Sequence, residues 1–128
     1  MKETSRPLSP HLQIYKPQLT SILSILHRFT GIFLFAGAFI ILGWLSSLTL
    51  GSQYFSAYQA NLKTIPGKII LFAWCFSMFY HLFNGIRHLF WDIGSGHDLK
   101  NVYLTGWLVV VGSAVATTIL WVSSFFSG

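Results

Sequence analysis

The chain has 128 residues, of which 53% are hydrophobic and only 9% are charged, and its net charge is +5. A soluble domain usually carries about 25% charged residues, so this composition is typical of an integral membrane protein. The basic residues are scattered, which argues against nucleic-acid binding. The single cysteine, Cys75, excludes a disulfide framework and a CxxC metal site.

Residues 1–20 precede the first long apolar run. They contain three prolines and the acidic Glu3, and they lack the apolar core of a cleavable signal peptide. We therefore predict an extended N-terminal segment over residues 1–20 and a membrane-anchor domain over residues 21–128.

Three apolar segments follow, each long enough to cross a bilayer, which takes about 20 residues of helix. The predicted helices cover approximately residues 21–50, 66–91 and 102–126, with polar connectors between them. Backbone groups in lipid must be bonded internally, and no strand alternation suggests a barrel. The predicted fold class is therefore all-α integral membrane, with three transmembrane helices.

Three crossings place the N-terminus and the second connector on the same side of the membrane. Six of the eight Lys and Arg residues lie on or near that side: Lys2, Arg6, Lys16, Arg28, Arg87 and Lys100. The positive-inside tendency then predicts a multi-pass protein whose N-terminus faces the cytoplasm or the mitochondrial matrix.

The first predicted helix carries polar residues inside its apolar run. Three of them, Ser24, His27 and Arg28, are spaced i, i+3 and i+4, and Gly31 follows at i+7, so all four are predicted to share one face. An arginine at the centre of a bilayer helix costs roughly 2.5–3.5 kcal/mol on insertion scales. It therefore faces a bundle interior or a cavity, unless its long stem lets it snorkel to the interface.

The second predicted helix repeats this spacing with His81, Asn84, Gly85 and His88, and Arg87 flanks that face. His81 lies roughly 15 Å from the inner helix end, near the middle of the hydrocarbon core. A neutral imidazole there needs a partner, and either a haem iron or an interhelical hydrogen bond would satisfy it. Gly85, one turn further on, leaves room for a flat macrocycle.

Two sequence blocks resemble a known family. RPLSPHLQIYKPQLTSILSILHRFTG at residues 6–31 and HLFNGIRHLFWD at residues 81–92 are similar to segments of the cytochrome b membrane-anchor subunits of succinate dehydrogenase, respiratory complex II. The chain length and the three-helix layout agree, so the resemblance covers nearly the whole chain.

The resemblance implies half of a haem-binding helical bundle, completed by a second membrane-anchor subunit that shares haem b. It also implies an iron–sulfur subunit and a flavoprotein subunit on the inner face, and ubiquinone as the substrate. The expected location is a bacterial or mitochondrial inner membrane, where the complex serves the respiratory chain and the citric acid cycle. The isolated chain is not expected to oxidise succinate, since it has no flavin fold and no cysteine cluster.

The resemblance further assigns individual residues. His81 is the expected axial ligand of the haem iron, and Ser24 and Arg28 are expected to line the ubiquinone site. The residues expected on the haem propionate side are His27, Arg28, Arg87 and His88.

Other functions remain as alternatives. A fumarate reductase membrane anchor is one; some of these hold two haems and need more deep histidines than His81 provides. A non-redox structural or transport membrane subunit is another. The third predicted helix argues against a transport pathway, because its interior polar groups are limited to Ser113, Thr117 and Thr118.

Overall fold

The computed structural model describes residues 19–128. It contains four α-helices: α1 at Leu19–Leu50, α2 at Ser52–Leu62, α3 at Ile65–Asp92 and α4 at Leu99–Ser127. The three long helices are each long and apolar enough to cross a membrane. The predicted all-α fold with three spanning helices is therefore confirmed. The predicted N-terminal segment lies outside the described residues, except for its last two, which begin α1.

The segment predicted as the first connector contains an additional helix, α2. Gly51 turns the chain between α1 and α2 with a φ of 119°, in the left-handed region that favours glycine. The Tyr58 hydroxyl donates a hydrogen bond of 2.8 Å to the carbonyl of Ile40. Because Ile40 lies ten residues before the end of α1, α2 folds back along the C-terminal part of α1.

The start of α3 follows from local capping. The Thr64 hydroxyl accepts a hydrogen bond of 3.2 Å from the Gly67 backbone N–H, and Pro66 lies in the first turn, where its missing N–H costs nothing. At the other end, Gly94 and Gly96 both adopt positive φ angles in the connector to α4. These two signals are present in the sequence as T-I-P-G and G-S-G.

Small and polar side chains fill the interior of the bundle formed by α1, α3 and α4. The buried residues on these three helices are Leu23, Thr30, Gly37 and Ser47 on α1, Ser77, Tyr80, Asn84 and Arg87 on α3, and Gly106, Val109, Ser113 and Thr117 on α4. Small residues let membrane helices approach closely. The large apolar side chains mostly point outward, as is expected where lipid or another subunit covers them.

Two contacts of α3 set its position against α1. The Tyr80 hydroxyl donates a hydrogen bond of 2.7 Å to the Leu23 carbonyl, and the Trp74 indole N–H donates one of 3.4 Å to the Leu34 carbonyl. The Trp74 ring also lies directly against Gly37, where a Cβ atom would overlap it. These contacts fix the rotation of α3 and therefore the direction in which the neighbouring His81 points.

Candidate functional site

His81 is seated against one turn of α1. Its Nδ1 atom lies 3.2 Å from the His27 carbonyl oxygen and 3.3 Å from the Thr30 hydroxyl. A Cβ atom on Gly31 would come within 3.1 Å of the His81 ring, so this glycine allows the close approach. The imidazole is thus held by the backbone and by one hydroxyl group of α1.

These contacts determine which nitrogen of His81 carries the proton. A carbonyl oxygen only accepts hydrogen bonds, so the atom facing the His27 carbonyl has to be a donor. In the neutral ring Nδ1 therefore carries the hydrogen, and Nε2 keeps its lone pair. No hydrogen bond to Nε2 is made by the part of the chain that the structure describes.

Three histidines from two helices lie together, and we call His27, His81 and His88 the histidine cluster. The rings of His27 and His81 are stacked, with centroids 3.9 Å apart and 8° between their planes. His88 meets His27 edge-on at a centroid distance of 5.5 Å. The Nδ1 atom of His27 is buried and has no hydrogen-bond partner within residues 19–128.

The histidine cluster does not form a metal site by itself. Within residues 19–128, no group of three or more His, Cys, Asp or Glu side chains could hold a metal ion. Two of the three rings are stacked face to face rather than directed at one point. The arrangement instead allows His81 to act as a single metal ligand, with the other ligands coming from outside this chain. Open space beside Gly85, where a Cβ atom would meet nothing within 4 Å, lies one turn further along α3.

Ser24 and Arg28 lie next to the histidine cluster but outside it. Both side chains are exposed, whereas Leu23 is buried and His27 is half-buried. Neither Ser24 nor Arg28 forms a side-chain hydrogen bond with another residue in the range 19–128. Their i, i+4 spacing makes them neighbours on the helix surface, so one ligand molecule can contact both.

Arg87 points to α4 and not into the histidine cluster. It is only 6% exposed. Its Nε donates to the Thr105 hydroxyl at 3.0 Å, and its two terminal nitrogens donate to the Val102 carbonyl at 2.9 Å and to the Asn84 side-chain oxygen at 3.3 Å. The guanidinium carbon also lies 4.1 Å from the centre of a Trp91 ring. Three of the five N–H donors of this arginine are therefore used within the chain.

The predicted polar face of α3 is thus divided in two. His81 and His88 lie on the side of α1, whereas Arg87 binds both Asn84 and α4. Asn84 is completely buried, and its Nδ2 atom has no partner among residues 19–128. Helical spacing predicts which residues share one broad face of a helix. It does not separate two adjacent narrow faces that contact different neighbours.

Thr30 is the residue that sequence reasoning missed. It lies three positions after His27 on the same helical stripe, and it is 8% exposed. Its hydroxyl donates a hydrogen bond of 2.9 Å to the His27 carbonyl, the same oxygen that faces His81. The available signal was a hydroxyl residue at i+3 from a polar residue inside an apolar helix.

Comparison with known proteins identifies the family. The family model described as the succinate dehydrogenase/fumarate reductase transmembrane subunit matches residues 2–120. The succinate dehydrogenase cytochrome b556 subunit of Rickettsia conorii is 52% identical over 117 residues, covering 91% of both chains. The cytochrome b560 subunit of Reclinomonas americana is 39% identical, covering 92% of this chain and 85% of its own. The b556 subunit of Paracoccus denitrificans is 37% identical, covering 87% and 85% respectively. The chain therefore belongs to the family of succinate dehydrogenase/fumarate reductase transmembrane subunits, as the resemblance of its two sequence blocks predicted.

Proposed function

We propose that this chain is the membrane-anchor cytochrome b subunit of a succinate:ubiquinone oxidoreductase, with His81 as its axial ligand to a haem b iron. The observation that carries this proposal is the hydrogen bonding of His81. Its Nδ1 atom is occupied by the His27 carbonyl and the Thr30 hydroxyl, which leaves Nε2 to coordinate a metal. The names of the relatives support the cofactor, since each is described as a cytochrome b subunit.

Other features beside His81 also fit a haem. Gly85 leaves open space on the same side of α3, and the buried Nδ1 atom of His27 lacks a partner. When bound, haem supplies a one-electron carrier within the membrane. We propose that His27, Arg28 and His88 contribute to its propionate side. Arg87 has at most two N–H donors left for a propionate, because the other three bind Thr105, Val102 and Asn84.

Ser24 and Arg28 are the residues that we assign to ubiquinone. Reduction of ubiquinone to the quinol takes two electrons and two protons. The Ser24 hydroxyl donates a hydrogen bond to a quinone carbonyl oxygen, and the Arg28 guanidinium stabilises negative charge that develops there. Both groups are exposed and make no side-chain hydrogen bonds within residues 19–128, so they are available to a ligand. A second subunit is needed to close the site around them.

We propose that the chain is one subunit of a membrane anchor that holds the soluble subunits of the complex. A second membrane-anchor subunit supplies the other haem ligand, and an iron–sulfur subunit and a flavoprotein subunit lie on the inner face. Arg28, Arg87 and Lys100 lie towards the side assigned to the cytoplasm or matrix, and Lys63 and Lys68 lie on the other. This distribution supports an inner-membrane protein with its N-terminus inside. The family model covers fumarate reductase subunits as well, and the names of the relatives favour the succinate enzyme.

The test compares two histidine variants in the purified complex. His81→Ala should abolish the b-type haem signal in a reduced-minus-oxidised spectrum while the other subunits still co-purify. His97→Ala is the matched control, because His97 lies in the α3–α4 connector, where its Nε2 atom is 3.0 Å from the Trp91 carbonyl oxygen. Full haem content in His81→Ala would remove His81 as a ligand. Failure of the wild-type complex to reduce ubiquinone with succinate would overturn the proposed reaction.

A further inference from the structure

We propose that Thr30 is a positioning residue for the haem ligand. Its hydroxyl oxygen accepts a hydrogen bond from Nδ1–H of His81 and thereby lowers the midpoint potential of the haem. This inference rests on the proposed role of His81. It extends that role to a residue that does not touch the cofactor and acts only through the imidazole.

The first step is the direction of the hydrogen bonds. The Thr30 hydroxyl has one proton, and at 2.9 Å it donates that proton to the His27 carbonyl. Its oxygen can therefore act only as an acceptor towards His81 Nδ1, which lies 3.3 Å away. Nδ1–H is thus shared between two acceptors, the Thr30 oxygen and the His27 carbonyl oxygen at 3.2 Å.

The second step is that the three groups form a closed triangle. Thr30 donates to the carbonyl, and the carbonyl and the hydroxyl both accept from the same ring nitrogen. Thr30 is buried, so water does not readily replace its hydroxyl. A Val side chain of the same shape would leave the His27 carbonyl as the sole acceptor within residues 19–128, so one of the two hydrogen bonds that orient the ring would be lost.

The third step is the effect on the metal. An imidazole that donates its second N–H to an oxygen acceptor becomes a more basic ligand, and loss of such a partner typically weakens metal binding about 10–100-fold. A more basic ligand stabilises the ferric state relative to the ferrous state. Removal of the Thr30 hydroxyl should therefore raise the midpoint potential of the haem. The remaining His27 carbonyl limits the size of that rise.

The chain provides a matched control for the substitution. Thr117 is another buried threonine, and its hydroxyl donates to the Ser113 carbonyl at 2.7 Å within α4. Thr117→Val removes the same chemical group from a helix interior without touching the histidine cluster. Thr30→Ser retains the hydroxyl at the site and serves as the rescue variant.

The experiment is a redox titration of the haem in the purified complex, followed by its absorbance, for Thr30→Val, Thr30→Ser, Thr117→Val and the wild type. The proposal expects a higher midpoint potential in Thr30→Val alone, with Thr30→Ser restored towards the wild type. Loss of haem from Thr30→Val would support the proposal equally, if Thr30→Ser restores haem binding and Thr117→Val retains its full haem content.

Three results would overturn the inference. One is an unchanged potential and full haem content in Thr30→Val. Another is an equal change in Thr117→Val, which would indicate a general effect on helix packing. The third is a change in Thr30→Val that Thr30→Ser does not reverse. His81→Ala is measured alongside. If it retains haem, the assignment of His81 as the ligand fails, and this result differs from the one expected if only the role of Thr30 is wrong.

Discussion

Arg87 and Thr105 join α3 to α4 through a hydrogen bond of 3.0 Å from the guanidinium Nε to the hydroxyl oxygen. The same guanidinium also reaches the Val102 carbonyl and Asn84. One side chain therefore satisfies acceptors on two helices, and this requires the planar, forked geometry of arginine.

Arg87→Lys should lower the thermal stability of the protein, because lysine keeps a buried charge but cannot make these three bonds at once. We expect a loss of about 1–3 kcal/mol, the usual range for leaving buried polar groups unsatisfied. Thermal unfolding of the purified complex in detergent measures it. Lys63→Arg is the control for a conservative exchange between basic residues, since Lys63 is exposed and its side chain makes no hydrogen bond within residues 19–128. Equal midpoints for the two variants would contradict this role for Arg87.

Gly37→Ala should also destabilise the protein. An added Cβ atom would overlap the Trp74 indole, which would have to move away from α1 and lose its hydrogen bond to Leu34. Overpacking of this kind typically costs about 1–3 kcal/mol. The intrinsic fluorescence of the tryptophans should change as well, since Trp74 would enter a new environment.

The control for Gly37 is Gly112→Ala in α4. A Cβ atom there would lie 3.6 Å from the Phe83 ring, an ordinary van der Waals contact. We expect its stability to stay within about 1 kcal/mol of the wild type, because alanine is the better helix former. If both alanines were tolerated equally, the close packing of Trp74 on Gly37 would not matter to the fold.

Tyr58→Phe should loosen α2 without unfolding the spanning helices. It removes the hydroxyl that binds the Ile40 carbonyl at 2.8 Å and that holds α2 against α1. Hydrogen–deuterium exchange of the purified protein should increase in peptides from α2 and remain unchanged in α3. Tyr54→Phe is the control, because Tyr54 is 60% exposed and makes no hydrogen bond within residues 19–128. Identical exchange in both variants would show that the Tyr58 bond does not anchor α2.

Ser24→Ala should impair quinone reduction selectively. The proposed hydrogen bond to the quinone carbonyl is worth about 0.5–1.5 kcal/mol, which corresponds to roughly a 2- to 13-fold lower kcat/KM for ubiquinone. Succinate oxidation with a soluble dye acceptor should stay unchanged, since it bypasses the membrane site. Ser46→Ala, an exposed serine near the other end of α1, should alter neither rate. A parallel fall in both assays for Ser24→Ala would point to impaired assembly.

The fold could be predicted from the sequence largely because lipid imposes one dominant signal. Three charge-poor segments of sufficient length define the spanning helices, and T-I-P-G defines the start of α3. The helix α2 gives no such signal, because it is short and polar and is held against α1 by tertiary contacts such as the hydrogen bond from Tyr58 to the Ile40 carbonyl. Nothing in the local sequence indicates a contact between residues that are 18 positions apart.

The candidate site could be predicted only in part, for a related reason. The spacing of His27 and His81 on their own helices indicated polar stripes, but not that the rings would stack at 3.9 Å. The rotation of α3 depends on Tyr80 and Trp74, which bond to α1 backbone carbonyls. That rotation sends Arg87 to α4 and leaves Thr30 beside His81, and neither outcome follows from periodicity alone.

The interior of small and polar side chains has a consequence for how this chain can vary. Within residues 19–128, only Leu23, Tyr80 and Val109 are buried hydrophobic residues. On those outward faces that meet lipid, exchange of one large apolar residue for another alters little, because lipid adapts to either shape. An inward residue such as Gly37 has no such freedom, because an added Cβ atom would overlap the rigid Trp74 ring and would push α3 away from α1. Mutational tolerance in this protein should therefore run opposite to that of a water-soluble domain: permissive at its bulky positions and strict at its smallest ones.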